Sequence, residues 1–460
     1  MTTLWTCPRF PLRQLPLAAS LAAAMSAFGP AHATTRAPLT MLTQPVTRAP
    51  SAVVTNCDDS GPGSLRDALE AAADGDSVDL TQLTCGRITL TTGAIVFGAN
   101  SVAIAGPGRN ELMIDGALSG AVLYHLGFGT LIVTDLSIGY GFKYRSDAQV
   151  SGSCVHSGGN ALLVDVNIST CNTVSTGSYS ALGGAVYAAG IVQLESSTVT
   201  MSEAKANGTG YASGGGVYGA GGVVSLYSTI SNNVALVEGG TPSYGGGIFA
   251  RGSSTVIGST ISGNQALEMG GIAFVDYHGA VETVANSTLS GNRATRFGGM
   301  FSLSTLNLYN STIAFNTSHE WTDGTHFFAA GVHIMVPGEM DSTIIANNVN
   351  DGAPFPTADL TGEPGSGFNG GHNDVMFCGA PCPNDTSNDD PGLHPLQDNG
   401  GLTKTHVPTP GQWDTFGGTN VLNFQWDQRG PGFPRQSAGD FPEIGALQIN
   451  SDIIFANGFN

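Results

Sequence analysis

Seven tripeptides of Ser-Thr-Ile type recur along the chain, and their spacing restricts the fold more than any other feature. They are Val166-Asn167-Ile168, Ser197-Thr198-Val199, Ser228-Thr229-Ile230, Ser259-Thr260-Ile261, Ser287-Thr288-Leu289, Ser311-Thr312-Ile313 and Ser342-Thr343-Ile344. Their middle residues are separated by 31, 31, 31, 28, 24 and 31 positions. A period in the twenties to low thirties, in β-branched and Gly-rich sequence, is that of a solenoid whose repeat is one coil. Five residues after the first Ser of each later tripeptide stand Asn233, Asn264, Asn292, Asn316 and Asn347. Asn accepts the left-handed backbone of a tight turn, and its amide can bond to an identical amide one coil away. These five are expected to form a structural ladder; Cys171 and Ser202 hold the same place in earlier coils.

The ends of the chain divide differently. Arg9 and Arg13, an apolar stretch from Leu15 to Phe28 and the step Ala31-His32-Ala33 read as a signal peptide over residues 1–33. Its apolar run is shorter than the roughly 20 residues of a membrane helix, and no later segment reaches that length. Residues 34–52 read as a flexible leader, 53–350 as the solenoid with its N-terminal cap, 351–450 as an irregular C-terminal capping region and 451–460 as a terminal tail. Ser64 and Asp67 have capping-box spacing, and Leu65, Ala68, Leu69 and Ala72 share a helical face. A short helix there would close the open end of the core, which stacked repeats require.

Formal charge is −19, and becomes −21 without Arg9 and Arg13, since residues 1–33 hold no acid. Charged residues make up 11% of the chain, against about 25% in ordinary globular proteins. So acidic a chain is a poor nucleic-acid binder, because phosphate contacts need clustered Lys and Arg. Six Cys follow the signal peptide: Cys57, Cys85, Cys154, Cys171, Cys378 and Cys382. An even number in an exported chain reads as disulfides. Proximity favours Cys57–Cys85, Cys154–Cys171 and Cys378–Cys382. A metal site at Cys378-x-x-x-Cys382 lacks a second ligand pair, and no metal or other cofactor is expected.

Gly183 to Val186, Gly214 to Tyr218 and Gly245 to Phe249 each place a Gly pair before apolar and aromatic residues. Together with the Asn column they resemble the right-handed parallel β-helix, pectin-lyase-like superfamily, and within it coils of the polymorphic outer-membrane-protein type. Asp59 to Ala68 (Asp-Ser-Gly-Pro-Gly-Ser-Leu-Arg-Asp-Ala) resembles the start of many secreted bacterial members, and Pro395 to His406 with Glu443 to Ala446 their ending. The resemblance implies an all-β solenoid exported by a Gram-negative bacterium. It leaves function open, because the superfamily holds lyases, hydrolases, adhesins and scaffolds.

The catalytic strips of such enzymes are not evident. A lyase needs acidic Ca²⁺ ligands beside a base, and only that alternative would call for Ca²⁺. The nearest approach to a hydrolase motif is Gly371-His372-Asn373-Asp374, which has no paired Asp beside it. Turn lengths point elsewhere. From ladder position to the apolar residue after the Gly pair the counts are 15, 15, 15, 8, 8 and 16. Two short turns flanked by longer ones would leave a notch. Its floor would offer Glu268, Met269, Arg293, Arg296 and Phe297, and its walls Glu238, Tyr244, Glu320, Trp321, Asp323 and His326. Aromatic faces suit sugar rings and Arg forks suit carboxylates, so Tyr244, Glu268, Arg293, Arg296, Glu320, Trp321, Asp323 and His326 are the expected glycan contacts. The competing reading pairs both Arg with Glu268 and Glu320. The expected function is non-catalytic adhesion or acidic-polysaccharide binding by a monomer at an extracellular or cell-surface polysaccharide, or at a host or neighbouring surface; a polysaccharide lyase or glycoside hydrolase is the alternative.

Overall fold

The computed structural model describes residues 42, 51–239, 241–276, 278–320, 328–352, 359–379, 382–409, 417–435 and 442–449. The middle coils are built alike. A Gly-Gly step leads into a three-residue strand such as Val186–Ala188, then come Ile191–Glu195 and Thr198–Thr200. The first of these strands recurs ten times, from Ile95–Phe97 to Leu360–Gly362, as one parallel sheet. Alternate side chains such as Val186, Ala188, Val192, Leu194 and Val199 point inward and form a continuous apolar core. All-β parallel coils thus stack as a β-solenoid.

The corners explain why these sequences turn. Each regular coil has two residues in the left-handed region, for example Ser196 (φ 48°) and Met201 (φ 50°), or Tyr227 (φ 49°) and Asn232 (φ 55°). For residues other than Gly this costs roughly 1–2 kcal/mol each. Two internal ladders offset that cost, each carried by the residue immediately after a corner. Asn264 Oδ1 accepts from the backbone and the side-chain amide of Asn233, both at 3.0 Å, and Asn264 donates likewise to Asn292. The serine of each tripeptide is a second ladder: Ser197 N–H donates to Ser228 Oγ (3.0 Å), and Ser228 N–H to Ser259 Oγ (3.1 Å). Inward hydroxyls thus bind the backbone that the corners would leave unpaired.

One expected ladder residue is corrected. The column continues from Asn316 to Asn348, which accepts at 3.0 and 2.8 Å, and not to Asn347. That coil is one residue longer than the tripeptide match implies, because Thr312 pairs with Ile344 and not with Thr343. Ser342 fills the corner (φ 51°), Thr343 takes the serine place, and Asn347 is itself the second corner (φ 58°). The column ends at Asp359, buried, whose Oδ1 accepts from Asn348 N–H (2.9 Å) and Nδ2 (2.7 Å). Burial pushes its carboxyl up to about 7.

At the N-terminus Ser64 caps the helix Leu65–Glu70 and accepts from Asp67 N–H at 3.2 Å, and Leu65 and Leu69 close the core. The helix ends at Ala71, before Gly75. Residues 351–450, expected as a cap, do two things. Leu360–Gly362, Phe368–Asn369 and Asn373–Val375 prolong the coils. The described residues between 403 and 446 then lie back along the flank. Thr403 Oγ1 donates to Gly258 O (2.9 Å), Gln428 Nε2 to Thr260 Oγ1 (2.9 Å), Asn310 Nδ2 to Thr419 O (2.8 Å), and Ala446 N–H to Thr312 Oγ1 (3.0 Å). This strap buries the outward threonines Thr260, Thr288 and Thr312, whereas Thr198 and Thr229, earlier in the same column, stay partly exposed.

The three disulfides are Cys57–Cys85, Cys154–Cys171 and Cys378–Cys382, with Cα atoms 6.5, 5.7 and 6.3 Å apart. Denatured, unreduced residues 34–460 are expected to take up no iodoacetamide by mass spectrometry. Any alkylated Cys in a homogeneous preparation would refute the pairing.

Candidate functional site

The long turns are not loose. Phe142–Arg145, Asn172–Gly177, Glu203–Gly208 and Val234–Val237 form one parallel sheet, and Val150–Ser151, Ala181–Leu182, Ala212–Ser213 and Ser243–Tyr244 a second. Between them packs a small core of Ala181, Ala204, Ala206, Ala212 and Ala235 with Val150. Alanine is small enough to let two thin sheets meet. The result is a fin standing off the solenoid, four turns long.

Below the fin the turns shorten to 8 residues, and each makes only single bridges to its neighbours: Gln265 to Arg293, and Met269 to Phe297. A ledge two coils wide results, about 10 Å at the usual strand spacing. Its floor is an ion-pair triad. Arg296 Nη1 lies 3.1 Å from Glu268 Oε2, and its Nε 3.1 Å from Glu320 Oε2. The Arg296 guanidinium also sits 5.0 Å from the centroid of Phe328. Glu268 is so deeply buried that desolvation outweighs the attraction of Arg296 and pushes its carboxyl up to about 7. Arg296 is therefore engaged within the chain. Arg293 is different: its side chain is 63% exposed and pairs only loosely, at 3.6 Å, with Asp351, which also holds His319 Nδ1 at 2.7 Å.

Tyr244, placed in the wall by sequence, is 2% exposed. Its ring packs 6.4 Å from Phe249, in an apolar cluster with Met269, Phe297 and Phe301. Glu238 pairs with Lys205 at 2.6 Å. Trp321, Asp323 and His326 lie outside the described residues. Tyr187, Tyr218 and Phe249 form a stack with centroids 5.4 and 5.1 Å apart, extended by His156 and Tyr124. Stacked rings cover each other's faces, so the column offers edges and no open sugar platform.

The hydrolase-like step at His372 and the buried arginines of the strap belong to the frame. His372 is a corner residue (φ 57°), and Asn373 accepts from Thr343 N–H at 3.0 Å as a ladder member. Arg429 is buried against Asp427 at 2.6 Å. Arg435 donates to Asn286 Oδ1 and Gly445 O inside the strap. Among the described residues, no three His, Cys, Asp or Glu side chains converge to hold a metal ion, and no helix is long and apolar enough to cross a membrane.

Sequence reasoning missed the serine ladder, whose signal was the Ser that precedes the Thr-apolar step in five successive tripeptides, from Ser197 to Ser311. It also missed Lys143, one of only three lysines, in the step Phe142-Lys143-Tyr144-Arg145. Comparison with known proteins returns no matching family, no matching curated protein and no matching solved structure.

Proposed function

We propose that this chain is an exported, non-catalytic β-helix scaffold whose ledge binds an acidic polysaccharide at an extracellular or cell-surface matrix. The observation that carries the reading is the ledge itself, an interruption of an otherwise repeated fin. At it Arg293 presents a largely solvent-facing guanidinium in a chain of net charge −19. A cation held by one loose partner can exchange that partner for a ligand carboxylate at small cost. Three disulfides suit an oxidising compartment.

Affinity electrophoresis of residues 34–460 through gels containing pectate, alginate or a neutral glucan tests the proposal. Retardation is expected in the two acidic gels and not in the neutral one. Arg293→Ala is expected to weaken it at least fivefold, with no change in melting temperature beyond 2 or so degrees, as an exposed pair contributes roughly 0–1 kcal/mol. Free migration in every gel would refute acidic-glycan binding.

A second reading rests on Glu268. A carboxyl pushed to about 7, sharing one guanidinium with a second carboxylate, has the protonation behaviour of a general acid. A cleared track in the pectate or alginate gel, lost in Glu268→Gln, would favour a polysaccharide lyase or hydrolase over binding alone.

A further inference from the structure

The fin has a second free edge, at its N-terminal side. Phe142–Arg145 is the first fin strand; Asn172–Ser175 pairs with it on one side. On the other side stands only the short turn 116–120, whose Gly120 O accepts from Phe142 N–H at 2.8 Å. The side chains aimed into the fin follow one register column: Lys143, Thr173, Ala204, Ala235. Three of these are small, and Thr173, Ala204 and Ala235 are buried between the sheets. The first is a lysine, partly exposed at the edge.

Its ammonium is positioned. Lys143 Nζ donates to Ser151 O at 3.2 Å and lies 3.9 Å from the centroid of the Tyr124 ring. Tyr124 also stacks on His156, at 4.1 Å with planes 10° apart, and His156 Nδ1 is 3.1 Å from Ser151 Oγ. His156 stays neutral, held down to about 3 by burial and by the nearby charge of Lys143. Neighbouring cations on the fin have acids: Arg145 has Asp147 at 2.9 Å, and Lys205 has Glu238 at 2.6 Å. Among the described residues no carboxylate lies within ion-pair distance of Lys143. Half-desolvated without a counter-charge and close to Arg145, the amine is pulled down to about 8.

A cation fixed by a carbonyl and a ring face, kept at a sheet edge without an acid, is arranged for an anion from outside. Leu118, in the short turn above, is 51% exposed and gives the same edge an apolar flank. We propose that this edge is a carboxylate-binding subsite in which Lys143, seated over Tyr124, takes the acid group of a uronic sugar. The subsite shares no residue with the ledge, so either can fail alone.

Calorimetry of residues 34–460 with trigalacturonate tests the assignment, with maltotriose as the neutral control. Lys143→Met is expected to lower trigalacturonate affinity at least tenfold, and Lys143→Arg less than threefold. Acylation offers a readout that needs no variant, because Lys143, Lys205 and Lys404 are the only lysines. In the unaltered protein, trigalacturonate is expected to protect the Lys143 peptide at least fivefold from an N-hydroxysuccinimide ester, while maltotriose does not. Unchanged labelling of Lys143 at saturating trigalacturonate, or unchanged affinity in a folded Lys143→Met protein, would overturn the proposal.

Discussion

Asn264→Leu is expected to lower the unfolding free energy by about 3–5 kcal/mol. Leucine has the branching and heavy-atom count of asparagine, so no cavity opens and the loss is chiefly one of hydrogen bonding. Asn264 Oδ1 is the acceptor for both Asn233 N–H and Asn233 Nδ2, and its own Nδ2 serves Ile230 O at 2.9 Å. The site is closed to water, so each abandoned group costs roughly 1–3 kcal/mol. Urea denaturation gives the number. Asn347→Gly is the matched control: at a left-handed corner outside the column it should change stability by less than about 1 kcal/mol. Equal effects of the two substitutions would refute the register described above.

Arg296→Met comes second, at about 3–4 kcal/mol at pH 8, because it strands Glu268 without its partner in a buried site. The cost should depend on pH in a definite direction. Glu268 binds its proton more tightly in the fold, near 7, than in the unfolded chain, near 4.5. Its contribution to stability is therefore complete below about 4.5 and declines as pH rises towards 7. Asp359 and Glu443, also pushed up to about 7 by burial, act in the same sense. Taken alone, these three carboxyls would make the protein melt higher at pH 5 than at pH 8; His125, His156 and His406, pushed down by burial, oppose them as pH falls below 6.5. Without Arg296 the Glu268 carboxyl rises further, so the decline extends to higher pH, and Arg296→Met should lose least at pH 5. Glu268→Gln should flatten the profile. A pH-independent loss in Arg296→Met would contradict the ion-pair account.

How much of this could be seen beforehand depends on whether the signal was periodic. The coil period, the inward Val and Ile of each tripeptide, and Asn233 through Asn316 repeat at fixed offsets, and repetition exposes them. Asn347 failed because one added residue moved the coil out of phase while Ser342-Thr343-Ile344 still matched the motif. Turn lengths revealed the step at Asn264 and Asn292, but not that the longer turns pair into a fin. Alternating Ala204, Ala206 and Ala235 was its trace, weak because alanine also fits a helix. Arg296 and Arg293 look alike in sequence; burial alone separates the paired cation from the open one. The strap left no pattern, as its contacts join residues with no common period.

That strap sets an order of events. Ladder bonds join residues about one coil apart, so coils can add one after another as neighbours meet. The bond from Gln428 to the Ser259–Thr260 step spans 168 residues, and the one from Arg435 to Asn286 spans 149. Closures of that length come late, since their loop entropy must be met before any contact rewards it. The middle coils thus form with one flank still wet, and that flank is sealed only by a segment that follows them all in the sequence. Cutting the chain after residue 402 would leave every coil its own hydrogen bonds and still expose the threonine flank from Thr260 to Thr312. In this solenoid a segment from beyond the coils is the outer wall of their middle.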